Sequence, residues 1–566
     1  MLSRSGVSRE HIKSFPHLLT RNERRAFLSF FGLALIALVA VFIVLDRSYS
    51  VTLPANGGSL TEGVIGRPLK LNPLTAVSDA DRDLVALLYA GIVRPDGKGG
   101  YIPELADSLT ISDDGMSYTV HLRPDLSFHD GEPLSADDVI FTVQTVQNAA
   151  IASPLRANWE GVDIEKVDDQ TIVFHLKKAY APFIANLSLG VLPKHIWGTL
   201  SPQQFTVSEK NLASPIGAGP YRFSSLSQDN NDVISSITLS SFRNYALGQS
   251  HLDSITLTFF DTESDLAEAF ESGSVTSGIV GKEASALISK NQSTHHIQTS
   301  VVYALFFNTD HAPVLADSKV REALNLALDR DVVIAASPAG SAVRITGPLP
   351  IGVDAIPRDL ERSRALLTSA GWTWNEESRS WTKKDKSTTQ TLEFTLATSN
   401  NEELVRVANA INTSLAELGV KVNLAFFERA DLEQARLRPR DFDALLFGQV
   451  MGIPEDPYAF WHSSQRTDPG LNIAKYANAK ADALLEKLRT PLSSEAFHET
   501  SASLNTLIAG DFPALFLYSP TYLYVAPESI SGMTLERAGI RADRFATIHE
   551  WYIERERVWR FLVREN

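Results

Sequence analysis

Apolar and polar positions alternate along this chain with two different periods, and one stretch has no polar face at all. Residues 26–45 read AFLSFFGLALIALVAVFIVL, without a charge and with Ser29 as the only polar side chain. At about 1.5 Å per residue, that length just spans a ~30 Å hydrocarbon core. The apolar part of a cleaved signal peptide is usually only about 7 to 15 residues long. Asp46, Arg47, Ser48 and Tyr49 follow, and they offer no small-x-small cleavage site. The pattern therefore predicts an uncleaved membrane helix, an attachment to the lipid bilayer through residues 26–45. Arg4, Arg9, Lys13, Arg21, Arg24 and Arg25 precede it, opposed only by Glu10 and Glu23. The positive-inside rule then predicts a cytoplasmic segment over residues 1–25 and an extracytoplasmic remainder. Residues 46–60 carry Pro54, Gly57, Gly58 and several serines, and read as a flexible tether.

Past that point, strand and helix periods take turns. Residues 118–122 alternate apolar and polar side chains, as a half-buried strand does, and His129, Asp130 and Gly131 make a turn. Ser135 then caps a helix, with Asp138 at the acidic position of a capping box and Val139, Val143 and Val146 on one face. Residues 164–167 and 171–176 flank Asp168, Asp169 and Gln170 as a hairpin. Together these predict an α+β unit over residues 98–213. Val320, Leu324, Ala327 and Leu328 fall at helical spacing after Asp317. Leu404, Val407, Ala408, Ile411, Leu415 and Leu418 repeat that spacing, Gly419 stops the helix, and residues 420–427 read as a strand. A last helix over residues 496–508 precedes a strand that ends at Tyr518. Helix, glycine stop and strand in succession indicate an α/β layer.

Composition narrows the chemistry. The 566 residues are 44% hydrophobic and 21% charged, a folded chain long enough for two or three domains. With 52 Lys+Arg against 67 Asp+Glu the net charge is −15, which argues against a nucleic-acid partner. There is no cysteine, so disulfides, thiol nucleophiles, iron–sulfur clusters and Cys-ligated zinc are excluded. The chain lacks a Gly-x-Ser-x-Gly elbow, a phosphate loop and a His-Glu-x-x-His motif, because Ile553 stands four residues after His549. His295 and His296 are adjacent in NQSTHH, which reads as a solvated loop, and no metal or other cofactor is expected. Asp113, Asp114, Asp137 and Asp138 lie at turns or helix starts, where aspartate serves capping. The balance moves from catalysis to binding, and the expectation is a protein that is not an enzyme.

An ordered series of short motifs carries a resemblance. It begins with Leu71, Asn72, Pro73 and Leu74, and continues through Pro103, Leu105, Ala106, Leu122, Arg123, Phe128, Asp130, Gly131, Ala136, Asp138 and Val139. Gly217, Gly219, Pro220 and Tyr221 come next, then Phe307 and Asn308. Asp317, Val320, Arg321, Ala323, Leu324, Ala327, Asp329 and Arg330 follow, and later Ala365, Leu366, Leu367, Gly371 and Trp372. From about residue 70 to 520 the chain thus resembles the family 5 extracellular solute-binding proteins of peptide- and nickel-type ABC transporters.

The resemblance implies an α/β fold of the two-lobed periplasmic-binding-protein (Venus-flytrap) type with an inserted α+β domain, here following one N-terminal transmembrane helix. Lobe I would comprise residues 61–97, 214–308 and 524–566, the inserted domain residues 98–213 and lobe II residues 309–523. It implies scaffold roles for Phe128, Asp130, Gly131 and Asp138, and a solvated or ion-paired helix face for Arg321, Asp329 and Arg330. Ligand contacts would come from the loop at residues 76–79, with Val77 and Asp79, and from the hinge strand at residues 444–461, with Gln449, Met451, Glu455, Asp456 and Trp461. Peptide binders of this family place an aspartate for the ligand's amino group where this chain has Ile453 or Pro454. Glu455 and Asp456 either replace it or form a turn before Pro457. Trp461 either stacks on ligand or belongs to the core of the lobe. The implied partners are a peptide or similar small solute and the permease subunits of an ABC transporter. Many relatives are lipoproteins attached through a cysteine, and here the membrane helix takes that place. A ligand-sensing ectodomain signalling through a partner, with only 25 residues before the membrane, and a peptide chaperone or hydrolase are the alternatives.

Overall fold

The computed structural model describes residues 20–281, 292–337, 342–353, 357–385 and 388–562. Arg4, Arg9, Glu10 and Lys13, invoked above, lie outside the described residues, as does the first residue of NQSTHH. Two compact units result: a small one, in which the N-terminal residues to Asn56 join the C-terminal residues from Tyr552, and a large one, Gly57–Trp551.

In the small unit, helix α1 (Arg21–Tyr49) starts at Thr20, whose backbone N–H and hydroxyl both donate to Glu23, at 2.8 and 2.6 Å. Over Arg21–Asp46 it is long and apolar enough to cross a membrane, and its apolar window is wholly unburied. No second helix among the described residues meets those criteria. Strand β1 (Ser50–Pro54) follows directly and pairs antiparallel with the C-terminal strand Arg555–Trp559, Ser50 facing Trp559 and Pro54 facing Arg555. Two expectations change here. The tether is a paired strand over these five residues, and the chain from Tyr552 onward belongs to this unit rather than to a lobe. Five residues cannot reveal a pairing whose partner lies at the other end of the sequence.

The large unit opens with β2 (Ser59–Ile65) and α2 (Asp79–Leu88). A four-stranded antiparallel sheet follows, β3 (Ala106–Ile111), β4 (Ser117–Leu122), β5 (Asp163–Lys166) and β6 (Thr171–His175), in the order β3-β4-β6-β5. Helix α3 (Ala136–Gln147) carries the expected capping box between Ser135 and Asp138, and buries Val139, Val143 and Val146. Next come β7 (Tyr221–Gln228), β8 (Ile234–Ser241), β9 (Ser254–Phe260), β10 (Ser277–Val280), β11 (Gln292–Thr299) and β12 (Val301–Phe307). His295 and His296 therefore sit in a strand opposite Tyr524 and Leu523, not in a loop. Helix α4 (Ser318–Ala327) and β13 (Glu393–Ser399) lead to α5 (Glu402–Leu418), which Gly419 ends in the left-handed region at φ 88°. The chain finishes through β14 (Lys421–Phe427), β15 (Ala444–Val450), α6 (Ser494–Asp511) and β16 (Ala514–Pro527).

The main sheet runs β14-β13-β15-β12-β16-β10-β2-β9-β8-β7. β16 belongs to both of its halves: it pairs with β12 from Ala514 to Tyr518, and with β11 from Thr521 to Pro527. The sequence pattern ends this strand at Tyr518, whereas it continues to Pro527. Pro520 sits where the neighbouring strand changes, and it lacks the N–H that would otherwise need a ladder partner. Side chains close the gap: Ser519 Oγ donates to the carbonyl of Thr299 and Thr299 Oγ1 to that of Pro520, both at 2.9 Å. β12 already pairs with β15 from Val301 onward, so the change of partner falls near residue 300.

Several motif residues prove to be stitches. Gly217 lies so close to α2 that a Cβ there would stand 2.1 Å from the Leu88 carbonyl oxygen. His129 receives the Gly217 N–H at Nδ1 over 3.3 Å and faces the Gly219 carbonyl with Nε2 at 3.1 Å, an arrangement that needs the neutral ring. Arg321 is not a solvated face: it donates to the carbonyls of Leu315, Ala316, Asp511 and Phe512. Arg330 is also buried, held by the Asn325 carbonyl and side chain.

The most buried charges join three distant segments. Arg544 donates to Glu62 on β2 at 2.9 Å and to both oxygens of Asp83 on α2 at 2.8 and 2.6 Å. Glu62 also accepts from Ser277 and, at 3.0 Å, from Tyr524. Burial raises the Glu62 carboxyl above its ordinary pKa against the pull of Arg544. Arg544→Met is expected to cost about 3–5 kcal/mol in denaturant unfolding of the full-length protein, since it strands two buried acids. Burial also pushes His129 down to about 4 from 6.5. Between those pH values the unfolded chain binds a proton that the native ring refuses, so lowering the pH drains stability from the native state. Melting curves of the parent and a His129→Gln variant should accordingly converge from pH 7 to pH 4.

Candidate functional site

β15 delivers the chain into a loop whose shape its residue types dictate. Gly452 takes φ 77°, a left-handed conformation that side chains resist, and the Ile453–Pro454 peptide is cis. Met451 N–H is fixed to the Ser300 carbonyl at 2.9 Å, beside the point where β11 passes into β12. Facing this loop, a cavity of about 490 Å³ is lined by Met451, Gly452, Ile453, Pro454 and Asp456 on one side. On the other lie residues that follow α3 and β6, including Asn158, Lys177, Tyr180 and Asn186.

A second cavity, about 450 Å³, lies against α2 and is walled by Val85, Ala86, Tyr89, Leu155, Leu189 and Phe545. Asn158, Ala185 and Asn186 line both, so the two form adjoining compartments of one cleft. Glu104 lies at the inner wall of the second. It accepts the Gly91 N–H at 2.9 Å and the Tyr245 hydroxyl at 2.5 Å, and burial pushes its carboxyl up to about 7.

The expected contact residues fare differently. Met451 and Asp456 line the first compartment. Both loop acids are already engaged: Glu455 pairs with Arg537, and Asp456 receives Arg489 Nη2 at 2.6 Å and Nε at 3.0 Å. Asp79, in the first turn of α2, stands 3.4 Å from Arg541, so Asp79 and Glu455 hold the same C-terminal segment from two sides. Val77 is 56% exposed on the preceding loop, next to Ala76, which lines the second compartment. Gln449 is buried on β15 opposite Val302, with neither side-chain polar atom bonded among the described residues. Trp461 is fully buried among Phe306, Tyr476 and Phe516 at ring distances of 6.0, 6.0 and 5.5 Å, which makes it core.

Arg489 and Tyr180 carry no signal in the sequence, yet they connect the two sides of the cleft. The Arg489 guanidinium lies 4.1 Å from the Tyr458 ring and 5.0 Å from the Tyr180 ring, while its carbonyl accepts the Ala181 N–H at 2.9 Å. Arg489 follows a short helix, 33 residues from Asp456, a separation no local rule relates. Among the described residues no cluster of three or more His, Cys, Asp or Glu is placed to hold a metal ion.

Comparison with known proteins settles the family. The family model described as "Bacterial extracellular solute-binding proteins, family 5 Middle" matches residues 100–470. This chain belongs to that family. The oligopeptide-binding protein AppA of Bacillus subtilis is 27% identical over 494 residues, covering 85% of this chain and 89% of that protein. The AppA structure in complex with a nonapeptide is similar at a TM-score of 0.61 and 26% identity, over 89% of this chain and all of the other. The ABC transporter substrate-binding protein CtaP of Listeria monocytogenes is similar at a TM-score of 0.70 and 25% identity, over 88% of this chain and all of CtaP. As a family 5 member the chain has the two-lobed binding-protein fold with mixed α/β content, and it is an extracytoplasmic solute-binding protein, not an enzyme.

Arg489→Ala is expected to loosen the seam across the cleft. Losing charge-assisted bonds worth about 1.5–3 kcal/mol should lower hydrogen-exchange protection of the Ala181 amide about tenfold or more. Arg489→Lys should restore little of it, because lysine cannot make the forked contact.

Proposed function

We propose that this protein is a membrane-anchored solute receptor that captures a peptide or similar small solute in the two-compartment cleft and delivers it to an ABC transporter permease. The observation that carries the reading is the placement of the cleft where β16 and the β11–β12 pair change partners. Residues 61 to about 300 without 98–213, and the chain from about 521 to 551, form lobe I. Residues 98–213 form the inserted domain, and residues from about 301 to 519 form lobe II. Closure is a rotation about the strands near Ser300 and Ser519, and ligand favours it by contacting both sides of the cleft at once. Met451 and the backbone around Gly452 meet the ligand from lobe II, and Ala76 and Val77 meet it from lobe I. Glu455 and Asp456 hold the loop in shape through their arginines and do not grip the ligand's amino group. The helix over Arg21–Asp46 keeps the receptor at the membrane.

The test is native mass spectrometry of the purified full-length protein, followed by small-angle scattering with and without the ligand recovered. A bound solute of peptide size and a smaller radius of gyration in its presence are expected. A Met451→Trp variant, which fills the first compartment, should lose at least tenfold in affinity while melting within a few degrees of the parent. An unchanged shape on saturation would overturn the hinge mechanism. Loss of the protein from membranes on alkaline extraction would overturn the anchor.

A further inference from the structure

The small unit returns the C-terminus of the chain to the point where α1 ends. β1 pairs in register with Arg555–Trp559, so Trp559 stands opposite Ser50, the first residue after the helix. The contact continues onto the helix. Trp559 Nε1 donates to Asp46 at 3.1 Å, Arg557 approaches the other Asp46 oxygen at 3.3 Å, and the Trp559 ring lies 6.1 Å from that of Phe42. Phe42 is three residues inside the apolar segment that ends at Leu45. At 1.5 Å per residue it therefore lies about 5 Å below the outer edge of the hydrocarbon, if that segment spans the bilayer. A ring that packs against Phe42 and bonds Asp46, just beyond the apolar segment, sits where hydrocarbon meets headgroups.

The other side chains suit that depth. Phe561 is 74% exposed with its ring 5.6 Å from Trp559, and Tyr49 is 56% exposed at the end of the helix. Aromatic rings collect at this boundary because one face is apolar and the other wet. Moving two such rings from water into the membrane interface contributes more than the single unit of net positive charge on residues 552–562, which carry Arg555, Arg557 and Arg560 against Glu554 and Glu556.

We propose that the C-terminal strand and Phe561 form a membrane-docking surface, with Trp559 and Phe561 seated in the headgroup layer of the bilayer that α1 crosses, so that the receptor is held to the membrane by both ends of its chain. This rests on the anchored reading above, and the experiment separates the two.

The chain contains no cysteine, so Phe561→Cys gives a single site for a nitroxide label in the full-length protein, reconstituted into phosphatidylcholine vesicles. Glu271→Cys, exposed on the large unit, is the aqueous control. Collisions with oxygen, which partitions into lipid, are compared with those of a water-soluble nickel chelate. The expected result at position 561 is an oxygen-to-nickel ratio several-fold above the control. A ratio equal to the control, or shielding from both reagents as under a partner protein, would overturn the proposal. In parallel, bromine-labelled lipid should quench the parent's fluorescence and lose most of that effect in Trp559→Phe, since Trp159, Trp197, Trp372, Trp381, Trp461 and Trp551 are buried in the large unit and Trp374 is half-buried there against Trp381. Equal quenching of parent and variant would also count against it. A protein that alkaline extraction removes from the vesicles fails the anchored reading first, whereas one retained with a water-exposed label fails only the docking surface.

Discussion

Arg544 holds the large unit together at its least forgiving point. Two carboxylates and one guanidinium, almost entirely removed from water, bind β2, α2 and the segment after β16 into one body. Each group is tolerable only because the others are in place, since a charge left alone in such surroundings costs far more than the cluster returns. The dependence reaches the ligand cleft. Arg537 and Arg541, which engage Glu455 and Asp79, stand within seven residues of Arg544 on the same segment. The position of the cleft loops is thus set by a cluster that touches neither compartment.

A binding protein of this design needs two bodies that move and yet a core that does not come apart. β16 meets both requirements because its hydrogen-bonding neighbours change along its length while its backbone remains continuous. On the side where β11 gives way to β12, hydroxyl groups bridge the ladder at Ser519 and Pro520, while on the other side the same two residues pair with residues 342–344.

Much of the local structure was legible because it is determined locally. The Ser135–Asp138 capping box, the Gly419 stop and the apolar faces of α3 and α5 are fixed within a few residues of themselves. The family was legible for a related reason, since motifs such as Gly217 and Gly219 mark close backbone approaches that tolerate little variation. What stayed hidden depends on partners far away in sequence. Glu455 and Asp456 read equally well as ligand contacts or as a turn until Arg537 and Arg489 are placed beside them. The strand whose pattern ends at Tyr518 runs on to Pro527 because its neighbours are exchanged there. Trp461 offered two roles, and only the rings enclosing it decide for the core.

The pairing of β1 with the C-terminal strand closes a loop of roughly 500 residues. In an unfolded chain, bringing such ends together costs about 5.5 kcal/mol in entropy, more than five paired residues return. The large unit removes that cost. Gly57 donates to the His251 carbonyl at 2.8 Å and His251 to that of His549 at 3.4 Å, so both exits from the folded body lie beside one residue. The effective concentration of the two strands then rises by orders of magnitude. The ribbon therefore costs little entropy once the body is complete, and its integrity reports on whether that body has folded.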